Sequence, residues 1–210
     1  MSGEFMDHFV VLKQQLATFE ALSGKPGEIG YFAQEALRFY SIAGTLKENG
    51  LLKNASVGER QISHILGRSL LEGYFWLIYI FDDEAERKSR FDEKLHAFKR
   101  EYGKFWNEGL VPGKSQMEPA DANWAGLSRA KDVNSLLAQV KNDYGDRLSY
   151  LYFIYRVASF DTHGNSMDSL FQSVFGKPCN FSAIDFNYGF DLIANQYLVI
   201  LQGLQSRQEI

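Results

Sequence analysis

The sequence predicts an all-α fold: a single-domain bundle of about six to seven helices over residues 1–210. Three observations carry that expectation. Apolar residues recur at three- and four-residue steps along most of the chain. Clusters of glycine and proline punctuate the periodic stretches where helices of ordinary length would end. No Val/Ile-rich alternating run, the mark of a half-buried strand, stands out.

The elements follow in order. Phe9, Leu12, Leu16 and Phe19 give an amphipathic first helix over about Met6 to Leu22, broken by Gly24, Pro26 and Gly27. A second runs from about Glu28 to Glu48 along Tyr31, Phe32, Glu35, Phe39 and Ile42. Ser56 with Glu59 three positions on fits a capping box for a third helix, Val57 to Phe81. Its second half is apolar nearly all round, which places it at the centre of a bundle. Asp83 to Glu108 alternates acids and bases, the pattern of a solvated outer helix held down by Phe91, Leu95, Phe98 and Trp106. From Gly109 to Leu127 the periodicity stops, and Pro112 and Pro119 mark a long internal loop. Trp124 in that loop either plugs the bundle or covers a cleft. Helical patterning resumes at about Lys131 to Tyr144 and again from Asp146 to about Asp161. A short segment, Met167 to Phe175, is expected to pack under the end of that helix. The last helix, about Phe186 to Gln205, carries Leu192, Ile193, Tyr197, Ile200 and Leu204.

Composition excludes several classes. A chain of 210 residues that is 45% hydrophobic is long enough to bury one core, and 23% charged residues argue against disorder. A net charge of −4 with pI near 5.6 gives no broad electrostatic footprint for nucleic acid, so DNA is not expected as a partner, although a local basic cleft is compatible. The one cysteine, Cys179, has no in-chain partner and reads as a structural thiol in a reducing cytoplasm. MSGEFMDHF lacks the basic start and apolar segment of a secretory signal. The most hydrophobic stretch, Gly73 to Phe81, is about half of the ~20 residues that cross a bilayer, so no membrane contact is expected.

Metal chemistry finds little to build on. Di-iron bundles use two Glu-x-x-His motifs, and this chain offers one, Glu93 to His96. His-Glu-x-x-His, paired cysteines, a Ca²⁺ loop, Gly-x-x-x-x-Gly-Lys and Gly-x-Gly-x-x-Gly are all missing from the sequence. No metal or other cofactor is expected.

Two polar rows run through otherwise apolar helices. One is His64, Arg68 and Glu72; the other is Tyr155, Ser159 and His163, flanked by Arg156 and Asp161. Polar groups on such faces find partners or cost about 1–3 kcal/mol each, so the rows are expected to meet, to line a cleft, or both. Arg68 and Glu72 are spaced to pair, and Ser159 is spaced to bond His163. Across neighbouring helices Glu72 or Arg68 is placed to reach the His163 imidazole. Arg156 and His163 lie about 10.5 Å apart in rise at nearly one azimuth. A phosphodiester fills such a gap, with arginine gripping the phosphate and histidine moving protons. Two further readings of the same residues stay open. One is a buried, satisfied network that registers two core helices, with Arg156 reaching to water. The other is a ligand or partner cleft without chemistry. His64 on its own reads as a half-buried helix histidine.

Arg156-x6-His163 resembles the Arg-x(4–6)-His motif of the HEPN superfamily, all-helical proteins that include many ribonuclease toxins and antiviral effectors. Arg68-Ser69-Leu70-Leu71-Glu72 and its aromatic apolar run, with Tyr155-x-x-x-Ser159-x-x-x-His163, is similar to an uncharacterised bacterial helical family near abortive-infection proteins. Together these signatures span about Ile62 to Asn165. The resemblance implies a homodimeric bundle with the histidine in a shared cleft. It also implies a metal-independent endoribonuclease of the bacterial defence or toxin–antitoxin type, with RNA or a nucleotide as ligand. Arg156 and His163 are then the catalytic pair, supported by Arg68, Glu72, Tyr155, Ser159 and Asp161. The competing expectation is a non-enzymatic interaction module that oligomerises or binds a partner.

Overall fold

The computed structural model describes residues 7–53, 56–109, 113–163, 166–179 and 184–210. Among these residues there are nine α-helices and no strand. They are α1 (His8–Gln14), α2 (Leu16–Ser23), α3 (Gly27–Glu48), α4 (Val57–Phe81), α5 (Arg87–Asn107), α6 (Val133–Leu137), α7 (Gly145–Thr162), α8 (Met167–Phe175) and α9 (Phe186–Ser206). The all-α expectation holds, but six to seven helices is too few. The first expected helix is two, because Gln15 leaves the helical region and its N–H turns back three residues to the Leu12 carbonyl. The apolar stripe continues across this break, which is why periodicity alone misses it.

Helix starts follow local chemistry. The capping box at α4 forms in both directions: Ser56 N–H donates to Glu59 Oε2 (3.1 Å) and Glu59 N–H to Ser56 Oγ (3.2 Å). Asp7, Asp132, Ser166 and Asp185 accept first-turn N–H groups of α1, α6, α8 and α9. α8 stops at Gly176, whose φ of 66° suits glycine.

The described contacts cluster into two units. The first comprises residues up to Tyr74 and from Asp143 onward. Here α2 packs on α3, and α1, α3 and α7 each pack on α9. Its centre is aromatic: Phe39 lies edge-on to Phe190 (5.8 Å) and stacks near Tyr197 (5.4 Å), while Phe19 meets Phe32 (5.5 Å). Two glycines set the positions of α4 and α7. A Cβ at Gly67 would collide with the Phe186 ring, and one at Gly189 would lie 2.9 Å from Ile154 Cδ1. Larger residues there would push either helix off α9.

The second unit is Phe75–Asn142. Of the anchors expected for α5, Leu95 and Trp106 are half-buried, and arginines join them. Phe91 is buried, but Phe98 is exposed, while Arg87 and Arg90 are buried. Arg90 donates to the Tyr79 and Gln139 carbonyls (2.6 and 3.3 Å), and Arg100 to those of Ala125 and Leu127 (2.9 and 2.7 Å). The described part of the expected loop, residues 113–127, thereby meets α5, with Trp124 against Tyr102 and over Gly103. The helix expected over Lys131–Tyr144 shortens to α6. The Asp82 carboxylate takes the N–H groups of Lys141 and Asn142 (2.7 and 3.1 Å) and holds that segment in a turn. No described helix is long and apolar enough to cross a membrane.

Candidate functional site

The polar rows of α4 and α7 meet within the first unit. Arg68 Nε donates to Ser159 Oγ (3.1 Å), and Nη2 donates to the Tyr155 hydroxyl (3.1 Å) and pairs with Glu72 (2.8 Å). The Tyr155 hydroxyl donates to Glu72 Oε1 (3.3 Å), and Ser159 donates to the Tyr155 carbonyl (2.7 Å). Each polar group thus has a partner, and the guanidinium also faces the Tyr155 ring at 5.0 Å. Burial raises the Tyr155 pKa above its ordinary value against the opposing pull of Arg68, so the phenol stays neutral.

Towards the start of α4 a second contact is deeper. His64 Nδ1 lies 2.6 Å from Asp161 Oδ2, with side chains 1% and 3% exposed. Asp161 Oδ1 accepts the Met167 N–H (3.0 Å), so one carboxylate joins α4, α7 and the first turn of α8. Arg60 pairs with Asp168 beside it. Burial lowers the His64 pKa below the ordinary value; Asp161 opposes the shift and Arg60 adds to it. A neutral imidazole carrying its proton on Nδ1 satisfies this geometry, with the carboxylate accepting from both sides.

His64 with Asp161, Arg68 with Ser159, and Glu72 with Tyr155 show that the facing helices run antiparallel. That order corrects two expectations. Neither Arg68 nor Glu72 reaches His163, because both are engaged by Tyr155 and Ser159 instead. Ser159 bonds back to its own helix rather than to His163. His163 closes α7 as its C-cap, and its side chain is exposed, as is that of Arg156. Neither side chain has a hydrogen-bond or ion-pair partner among the described residues. Gly164 and Asn165, which follow in the expected signature, lie outside those residues. His64 is fully buried rather than half-buried, and its bond to Asp161 becomes legible only once the antiparallel order is known.

The second unit holds a polar cluster that the sequence reading missed. Lys131 Nζ donates to the Tyr79 hydroxyl (2.7 Å) and Gln139 Oε1 (3.1 Å), and pairs with Glu93 (2.7 Å). Tyr79 donates on to Glu93 (3.1 Å), and Arg90 lies 4.5 Å over its ring. Tyr79, Arg90, Glu93 and Gln139 of this cluster line an open cleft of about 430 Å³. Glu93, half of the lone Glu-x-x-His motif, is turned to this lysine and phenol, while His96 is exposed.

Comparison with known proteins adds nothing to this geometry: no family model, curated protein or solved structure matches the chain.

Proposed function

We propose that the chain is a HEPN-like helical protein of the bacterial defence or toxin type, working in the cytoplasm as a homodimer and cleaving RNA without metal. One observation carries the reading: Arg156 and His163 stand exposed on one face of α7, while the adjoining face is locked to α4 by a fully partnered network. The locked face gives the helix a fixed position, and the open pair is free to meet a phosphodiester. Arg156 would grip the non-bridging oxygens. His163 would take the proton of the 2′-hydroxyl as that oxygen attacks phosphorus. The bond to the 5′-oxygen then breaks, leaving a 2′,3′-cyclic phosphate, and the departing oxygen needs a proton. His163 of a second copy is the natural donor, which is the chemical reason for a dimer. The exposed apolar residues Leu170, Val174 and Phe175 of α8, a few residues beyond His163, offer a surface for that copy.

The same α8 stripe favours a second reading, a non-enzymatic module whose apolar face binds a partner. Incubation of total RNA with wild type and His163→Ala in EDTA separates the two. Cleavage by wild type and none by the variant, at an unchanged melting temperature, supports the ribonuclease. Equal cleavage by both refutes the assignment of His163. RNA left intact by wild type favours the module.

A further inference from the structure

The outward face of α7 carries more than the arginine and the histidine. Ser149, Phe153, Arg156, Phe160 and His163 are all exposed. At ~100° per residue they fall within about 80° of arc and form one ridge. Two half-exposed phenyl rings are unusual on the outward side of a helix whose other side is packed. Phe153 is 42% exposed and Phe160 53%. The aromatic pair and the polar pair each repeat at seven residues, so an arginine lies between two rings and a histidine beyond them. The ridge itself carries no carboxylate: Asp146 sits in the first turn beside it, and Asp161 is turned inward to His64. On a chain of net charge −4 this face is aromatic and carries the positive charge of Arg156.

The geometry points to a binding ridge for single-stranded RNA, in which Phe153 and Phe160 stack on two unpaired bases of one strand and Arg156 holds a phosphate between them. This rests on the RNA reading above and names the form of RNA that the site takes. Base faces are available for stacking only in a single strand, because a duplex hides them. The two rings are ~10.5 Å apart along the axis, a span that an extended strand crosses in a few nucleotides. With few cations on the ridge, stacking rather than counterion release supplies the affinity, so its dependence on salt is shallow. A second copy of the chain is a poorer occupant of the two rings, since the dimer proposed above meets through α8. A two-fold contact through this face would bring the two Arg156 side chains together with no carboxylate on the ridge to pair them.

The test is fluorescence anisotropy with a short labelled 2′-O-methyl oligouridine, which cannot be cleaved, and with the matching duplex. Wild type is expected to bind the single strand at least ~10-fold more tightly than the duplex. Phe153→Ala with Phe160→Ala is expected to lose at least ~10-fold in affinity at an unchanged melting temperature. Arg156→Ala weakens binding and flattens the salt slope by ~0.7. Equal affinity of wild type and the double phenylalanine variant overturns the ridge, as does equal binding of duplex and single strand, or no binding at all. A double variant that elutes as a smaller species while its affinity is unchanged shows a contact between copies, and also overturns it. Binding without any cleavage of ordinary RNA leaves the ridge standing and removes the ribonuclease; cleavage lost in His163→Ala with stacking refuted does the reverse.

Discussion

The two faces of α7 have opposite fates within five turns of one helix. Leu151, Ile154, Val157, Ala158 and Asp161 are buried inward, and Tyr155 and Ser159 at the flank are bonded to Arg68. Outward, Phe153, Arg156, Phe160 and His163 are exposed. Apolar residues therefore occur on both sides, so hydrophobicity by itself does not say which side is the core. Partnership does. Inward polar groups each meet an acceptor or donor on α4 or α8, whereas the outward pair meets none among the described residues. Stability should reside in the first face and interaction with other molecules in the second, and substitutions across the helix can break that division.

The largest effect is expected at Asp161. Replacing it with alanine orphans the buried His64 Nδ1–H and the Met167 N–H together. Losing hydrogen bonds to a buried carboxylate typically costs about 2–3 kcal/mol. For a chain of this size that lowers the melting temperature by roughly 5–10 °C. A variant that melts within 1–2 °C of wild type would show that the inward face of α7 is not what fixes its position.

Much of this was legible in the sequence, but in a definite order. Long periodic helices such as α3, α4 and α9 fall within a residue or so of where their apolar spacing put them, because each buries one continuous side. The Ser56–Glu59 box was legible because it is local in the chain. That the rows of Arg68 and Ser159 meet was also legible, since polar groups on apolar faces must be satisfied. Which residues pair was not. Antiparallel order sends Asp161 to His64 and leaves His163 outside, and no spacing within a single helix encodes orientation between two. Main-chain acceptors were equally hidden: Arg90 is buried because the Tyr79 and Gln139 carbonyls receive it, while Phe98 stays exposed and stacks on Tyr102 of its own helix.

A matched arginine pair sharpens the comparison at smaller scale. Arg68→Ala removes the donor to Ser159 and Tyr155 and leaves a part-buried Glu72 without its cation. It is expected to cost about 1–2 kcal/mol. Arg156→Ala, on the exposed face, should stay within about 0.5 kcal/mol of wild type. Urea midpoints of the two variants check this directly. Equal losses would mean that the outward arginine also serves the fold, and would weaken its role as a phosphate contact.

The smallest effect is a proton rather than a side chain. Burial holds the His64 pKa below its ordinary value of 6.5, with Asp161 pulling the other way and Arg60 adding to the depression. In the unfolded chain His64 takes up a proton as pH falls through about 6.5. The folded chain resists until a lower pH, so between those points the unfolded state binds more protons and stability declines as the solution is acidified. The contribution is complete above the unfolded value and lost below it. Denaturation midpoints at pH 7.5 and 5.5 should therefore fall further for wild type than for His64→Gln, whose amide keeps a donor towards Asp161 without titrating. A wild type that becomes more stable on acidification would mean that the attraction of Asp161 for an imidazolium outweighs burial. The inner face of α7 would then be an ion pair rather than a neutral hydrogen bond, and the contrast with the open face would rest on charge instead of solvation.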